Sequence, residues 1–325
     1  MKVLAKTLKS FTDKKVLVLG DIMLDHYIWG SVDRISPEAP VPVLDVQKED
    51  FRLGGAANVA LNLKALGAQV YLCGVIGSDD AGKTVKNLLD AKGIESAAII
   101  VDKKRPTTRK TRIGANNQQI VRIDHENRID ITTKLEKEVM TKLNSLVTEI
   151  DAIIIEDYNK GLMTEAVITQ TIKSAQKHNV LVTVDPKQKN FFMFKGVDVF
   201  KPNYSEMQKN LGLIFETEAE FDKQAKLLKA KLQCKNLVVT RGEKGLYIFS
   251  DNSMVHNIPT FAREVYDVSG AGDTVISVLT LALCAGCDIQ TAAIIANHAA
   301  GVVCGKMGTA TTTIEEIKQS YNEQK

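Results

Sequence analysis

The run Asp267-Val268-Ser269-Gly270-Ala271-Gly272-Asp273-Thr274 sets a carboxylate beside a glycine-rich turn, just before an apolar stretch, Val275 to Cys287, that reads as a buried helix. Glycines around a small residue let the chain turn tightly and present bare N–H groups. At a helix N-terminus those groups, with the helix dipole, form a site for an anion. A carboxylate next to a bound phosphate is repulsive unless it has a task, and taking a proton from an attacking hydroxyl is such a task. The combination points to phosphoryl transfer onto an alcohol. In isolation the same letters also describe an aspartate capping a helix.

Other polar clusters follow apolar, strand-like runs. Asp21 and Asp25 come after Lys15–Gly20, and Glu156-Asp157-Tyr158-Asn159-Lys160-Gly161 after 152–155. Asp185-Pro186-Lys187, Lys201-Pro202-Asn203-Tyr204-Ser205-Glu206 and Thr240-Arg241-Gly242 close three more. Capping chemistry accounts for any one of them. Four such clusters on the edge shared with Asp21, Asp25 and the 267–274 loop describe a ligand site at the carboxyl ends of parallel strands.

The elements that must position these residues alternate. Leu53-Gly54-Gly55-Ala56-Ala57-Asn58 opens a helix running to about Leu66, with Gly67 beyond its end; a strand at 70–76 and a helix at 82–92 follow. Helices are expected at 132–149, 164–178 and 218–232, and strands at 152–155, 180–184, 197–201, 236–240 and 246–250. This is a three-layer α/β/α arrangement around a mainly parallel sheet. Two insertions differ in character. The Val- and Pro-rich segment 27–52, with Pro37, Pro40 and Pro42, argues for edge structure, and 105–125 reads as a hairpin with a polar tip. Together they predict a small β-lid on one domain spanning 1–325, with no long linker and no internal repeat.

Bulk properties exclude several classes. The 325 residues are 44% hydrophobic and 25% charged, and 42 basic against 39 acidic residues give +3, too weak and too dispersed for a nucleic-acid partner. Five cysteines without framework spacing read as buried thiols, and Cys284-Ala285-Gly286-Cys287 has no second pair to make a metal site. Without a signal-like N-terminus or a membrane-spanning run, a cytoplasmic protein is expected. Gly77-Ser78-Asp79-Asp80-Ala81-Gly82-Lys83-Thr84 fits a P-loop letter for letter. Asp79 and Asp80 would aim negative charge into a phosphate nest, so a turn capped by one of them is the competing reading.

In order, and over nearly the whole chain, these motifs resemble the ribokinase-like (PfkB) carbohydrate kinases. Gly54-Gly55-Ala56-Ala57-Asn58 resembles the family's sugar-binding signature, and Gly77-x-Asp79-x-x-Gly82 its own G-x-D-x-x-G segment. The resemblance implies Asp273 as base and Gly270, Ala271 and Gly272 as anion-hole donors. It implies ATP along Asn203, Glu206, Thr240 and Gly242, with Mg²⁺ held by Glu206 through water and adenine near Asn297 or His298. A monovalent cation, K⁺ among the candidates, would lie by Asp267 and Ser269.

Arg34 to Val43, the hairpin from Thr108 to Asp124, Asp157–Gly161 and Val184–Lys187 resemble, within that family, the kinases of ADP-heptose synthesis. The implied reaction is ATP-dependent phosphorylation of O1 of D-glycero-β-D-manno-heptose 7-phosphate. Asp21, Asp25, Gly54, Gly55, Asn58, Asn117, Glu156, Asp157 and Asp185 would meet the sugar; Glu156 stands where a smaller residue such as Ser is expected. A phosphorylated acceptor also needs cations, and Arg109, Arg112, Lys160 and Lys187 are placed to supply them unless they are solvated surface charges or belong to a homodimer interface built on the lid. The five histidines include no H-x-G-H, so a stand-alone kinase is expected. A kinase of another sugar and a non-catalytic sugar- or nucleotide-binding protein on the same fold remain the rivals.

Overall fold

A computed structural model of the chain describes residues 2–115, 118–250, 255–262 and 265–323. Helix α1 (Lys2–Lys9) leads to β1 (Lys15–Gly20), and Asp21 alone separates β1 from β2 (Ile22–Ile35), which pairs antiparallel with β3 (Pro42–Gly55). Gly55, at φ 57°, turns β3 directly into α2 (Ala56–Ala65). Then come β4 (Gln69–Gly77), α3 (Asp80–Ala91), β5 (Ile99–Asp102) and the hairpin β6 (Thr108–Ala115) and β7 (Gln118–His125). The alternation resumes with α4 (Thr133–Leu146), β8 (Ala152–Glu156), α5 (Glu165–Lys177), β9 (Leu181–Asp185) and β10 (Val199–Phe200). After α6 (Tyr204–Leu211), α7 (Glu218–Leu232) and β11 (Asn236–Thr240), β12 (Leu246–Phe249) and β13 (Val255–Ile258) turn antiparallel, and α8 (Ala271–Cys284), α9 (Ile289–Cys304) and α10 (Ile314–Asn322) follow.

The main sheet runs β13-β12-β11-β10-β9-β8-β1-β4-β5, parallel from β11 to β5. Its central strands are apolar on both faces, as strands covered by helices must be. Val16, Val18, Ala152 and Ile154 face the layer holding α2, α8 and α9, while Leu17, Leu19, Ile153 and Ile155 face α4, α5 and α7. Two-residue alternation thus splits the core into the two outer layers of an α/β/α sandwich. Helix α8 is apolar around its circumference because it is buried on all sides.

A four-stranded second sheet has the order β3-β2-β6-β7, with β2 and β6 parallel. This is the expected lid, but it begins at Ile22 and ends at Gly55 and His125. The prolines misled in one respect. Pro37 and Pro40 lie in the turn and Pro42 opens β3, so of the two strands of this insertion β2 is interior and β3 is an edge. The expected strand 197–201 shrinks to Val199–Phe200, because Lys201 already turns its side chain into the site.

Candidate active site

Parallel register sets the site. Gly20 is abreast of Glu156, and Glu156 of Asp185, at the carboxyl ends of three adjoining strands. Facing them, α8 starts from Gly270, whose φ of 82° a side chain would resist, and puts Asp273 in its first turn. The Asp273 carboxylate accepts from Asn58 Nδ2 at 2.6 Å and from Tyr158 Oη at 3.0 Å. Burial pushes its pKa up to about 6; Asp185 adds to the rise, while Asn58, Tyr158 and Lys201 oppose it. Such a carboxylate is a stronger base than a solvated one and is still ionised at neutral pH. The amides of Gly270, Gly272 and Asp273 donate to no acceptor among the described residues, whereas Ala271 N–H turns back to the Val268 carbonyl at 3.2 Å. The donor set at the helix end therefore differs by one residue from the expected Gly270, Ala271 and Gly272.

Around Asp273 lies a dense charge network. Lys201 Nζ is 2.7 Å from Asp185 Oδ2, and Lys187 Nζ is 3.7 Å from Asp185 Oδ1 and 2.5 Å from Glu206 Oε1. Burial disfavours the Asp185 charge, but Lys201 and then Lys187 outweigh it and hold the carboxyl below its ordinary value. Lys201 also passes next to Gly272, 3.6 Å from where a Cβ would stand. Asn203 and Glu206 form the capping box of α6: each accepts the other's backbone N–H at 2.8 Å. Both Glu206 oxygens are engaged, which leaves lone pairs for water-mediated contact with a cation.

A cavity of about 610 Å³ extends from Thr240 and Gly242 to Ala271 and Gly272, with apolar walls at Val265, Val268 and Ala300. A second, of about 420 Å³, meets it at Thr240 and Gly242 and reaches Asn203. Asn297 lines the first and donates to the Pro259 carbonyl at 2.6 Å. His298 does not line it. Helical geometry turns it away to stack on Phe261, with Nδ1 3.0 Å from Ser320 Oγ, and burial lowers its pKa to about 4.

On the other side of Asp273 the expected residues divide. Asp21 accepts from the backbone N–H of Tyr158 (2.9 Å), Lys160 (3.0 Å) and Leu162 (3.4 Å), so it shapes the 158–162 loop and presents Tyr158 to Asp273. Asp157 binds Asn159 N–H at 2.8 Å, and burial, then Asp21, pushes it up to about 6. Asp25 packs against Gly54 and accepts from Arg112 at 2.5 Å. Lys160 meets Glu126 at 2.7 Å, and Lys110 meets Asp124 at 3.3 Å. Strand alternation puts Arg109 on the face of β6 opposite Arg112 and Lys110, away from Asp25. Asn117 lies outside the described residues. Asp267 ties Ser269 N–H (2.8 Å) to Gly308 N–H (3.1 Å), joining the two loops beside the α8 terminus.

The P-loop-like segment is closed by its own side chain. Asp79 accepts from Gly82 N–H at 2.9 Å and from Thr107 N–H and Oγ1 at 2.9 and 2.6 Å, so a carboxylate fills the nest. Lys83 pairs with Asp80 at the surface. Tyr158, Lys201 and Lys110 were not assigned roles from the sequence, although the first two lie inside strand-end clusters whose position already marked the site.

Comparisons with known proteins bear on the family and on the fold. A family model described as pfkB family carbohydrate kinase matches residues 13–316. The bifunctional protein HldE of Helicobacter hepaticus is 44% identical over 95% of the chain, which spans 64% of that protein's length. The protein of the same name from Helicobacter pylori strain P12 is also 44% identical, over 95% of this chain and 67% of its own. Escherichia coli phosphofructokinase-2 in complex with potassium superposes with a TM-score of 0.79 at 18% identity, covering 95% of this chain and 98% of that one. Arabidopsis thaliana ribokinase complexed with ribose and ATP gives 0.75 at 18% identity, covering 94% and 98%.

Proposed function

The chain belongs to the pfkB family of carbohydrate kinases, and on that premise we propose that it transfers the γ-phosphoryl group of ATP to O1 of D-glycero-β-D-manno-heptose 7-phosphate. The product is the 1,7-bisphosphate, a step of ADP-heptose and lipopolysaccharide-core precursor synthesis. The observation that carries the transfer chemistry is Asp273: a buried carboxylate with a raised pKa, set between free α8 amides and a polar cleft. Its oxygen takes the proton of the O1 hydroxyl as O1 attacks the γ-phosphorus. The bond from that phosphorus to the β-bridging oxygen breaks, ADP leaves, and the α8 amides hold the charge on the transferred group.

Lys110, Arg112 and Lys160 support a phosphorylated acceptor, because they project from lid and loop around the cleft and their ion-pair partners are carboxylates a phosphate could displace. The motifs resembling kinases of ADP-heptose synthesis favour a heptose. The 44% identity to the HldE proteins, against 18% to ribokinase and phosphofructokinase-2, makes ribose and fructose phosphates the less favoured acceptors. ATP fits the joined cavities from Asn203 and Thr240 to Gly272, with Asn297 on the wall. Mg²⁺ would be held by Glu206 through water and would neutralise phosphate charge; K⁺ would lie by Asp267 and Ser269. A homodimer through the lid accords with Phe51, Val121 and Ile123, exposed apolar residues on the lid face turned from the cleft.

The test is ADP release with heptose 7-phosphate, unphosphorylated heptose, ribose and fructose 6-phosphate. Turnover with the first alone, yielding a bisphosphate, is expected. Turnover only with ribose or fructose 6-phosphate would keep the kinase and remove the heptose.

A further inference from the structure

Glu156 ends β8 fully buried, and among the described residues neither of its carboxyl oxygens meets a hydrogen-bond donor. It has little room: a Cβ added at Gly20 would come within 2.7 Å of its own Cβ, with Ala56 at 2.9 Å from the same point. One of its oxygens lies within 4.8 Å of oxygens of both Asp185 and Asp273. The charged groups facing it are Asp185 at the end of β9, Asp273 on α8, Lys201 after β10 and Lys187 after β9; Tyr158 faces it as a titratable neighbour.

On balance these neighbours disfavour an ionised Glu156, although Lys201 and Lys187 oppose the rise. The ammonium of Lys201 bonds to Asp185 and that of Lys187 to Glu206, and neither bonds to Glu156. A third ionised carboxylate would sit beside two others in a dry pocket with no donor of its own. Burial, then Asp185 and Asp273, accordingly pushes Glu156 well up. A neutral acid needs an acceptor for its proton, and oxygens of two carboxylates lie within 4.8 Å. Asp185 is matched by two ammonium groups; among the described residues Asp273 has only the neutral donors Asn58 and Tyr158, and it is the more basic of the two.

We propose that Glu156 is a neutral carboxylic acid and a positioning residue for Asp273: its O–H supports the ionised Asp273 carboxylate and so sets the pH at which that carboxylate can act as base. The inference rests on the reading of Asp273 as the base. It gives a reason for a glutamate at a strand end where a smaller side chain is expected.

Two measurements decide it. Infrared difference spectra of substrate-free protein at neutral pH should show a carboxylic-acid C=O band in the wild type that Glu156→Gln lacks. Its absence from the wild type overturns the proposal whether or not any sugar is turned over. The acid limb of the kcat/KM profile, taken with whichever sugar the enzyme accepts, reads the coupling. Glu156→Leu removes the donor and should move the limb up by about one pH unit, while Glu156→Gln, which keeps a donor, should move it less. An ionised Glu156 predicts the opposite sign, since either variant would then remove a negative charge and let Asp273 ionise at lower pH. A downward shift in both, or none in Glu156→Leu, overturns the proposal. Should Glu156→Leu not fold, the infrared comparison and the Glu156→Gln limb remain decisive. Failure of every sugar would count against the kinase reading alone.

Discussion

The floor of the cleft and the lid above it contain the same kinds of charged residue, held under opposite conditions. On the floor, Glu156, Asp185, Asp273 and Lys201 are almost wholly buried where strands end against α8. On the lid, Lys110, Arg112, Arg122 and Asp124 remain partly open to water. Buried charges are expensive to hold, but they stay where the backbone puts them. Pairs open to water, such as Arg122–Asp124, contribute little to stability and hold their partners less firmly. The floor is therefore suited to chemistry that tolerates no misplacement, and the lid to grasping and releasing a charged acceptor.

The sharpest way to break that contrast is Asp273→Asn. Loss of the base should lower kcat by about a thousandfold or more with the fold intact. Stability should move the other way. The folded pKa of about 6 exceeds the ordinary 3.8, so the native state holds the proton longer, and Asp273 reduces stability as pH rises through that window. The asparagine variant should therefore gain on the wild type between pH 4.5 and neutrality, by up to about 3 kcal/mol in denaturant titrations. Near wild-type turnover would remove Asp273 as base.

Asp21 tests whether position on the floor is enough for a chemical role. It is as buried as Asp273, yet its partners are three backbone amides of one loop. Asp21→Ala should destabilise the protein by about 2–4 kcal/mol and lower activity through displacement of Tyr158. Loss of activity with unchanged stability would instead make Asp21 a direct sugar ligand.

The lid should respond more mildly and mainly in binding. Lys160→Ala and Arg112→Ala are expected to raise KM for a phosphorylated acceptor by about 10- to 100-fold, with a smaller change in kcat. Higher ionic strength should weaken acceptor binding in the wild type and do less in the variants. Arg109→Ala, on the opposite face, should leave KM for the acceptor nearly unchanged; a rise matching that of Arg112→Ala would contradict the strand parity.

The difference between floor and lid also marks what could be read from sequence. Strand-end clusters are local, and a parallel sheet gathers them on one edge, so Asp185, Asn203 and Asp273 could be grouped without coordinates. Lid residues depend on parity and register. Arg109 and Arg112 are three apart, an odd spacing that places them on opposite faces, so strand parity sets only Arg112 of these two candidates on the face of Asp25. His298 was misplaced for the helical counterpart of this reason: one residue past Asn297 is about 100° around the helix. Asp21 needed the tertiary structure, since nothing in Gly20-Asp21 shows that residues 158–162 will close over it. Lys201 belongs both to a strand-end cluster and to the expected strand 197–201, and counting it as strand gives its side chain no role.

The smallest effect separates the two glycine turns of the chain. Gly77–Thr84 and Gly270–Thr274 both open helices after tight turns, and by letters alone the first is the better phosphate cradle. What fills each turn decides between them. Asp79 puts its carboxylate into the first and bonds Gly82 and Thr107, whereas the amides of Gly270, Gly272 and Asp273 have no acceptor among the described residues. A phosphate has no reason to displace a carboxylate held by three hydrogen bonds, and Lys83 is at the surface beside Asp80. Lys83→Ala should therefore keep kcat and KM for ATP within about twofold of wild type, since surface pairs contribute little. Abolished activity would move the nucleotide to the other turn, and with it the assignment of floor and lid.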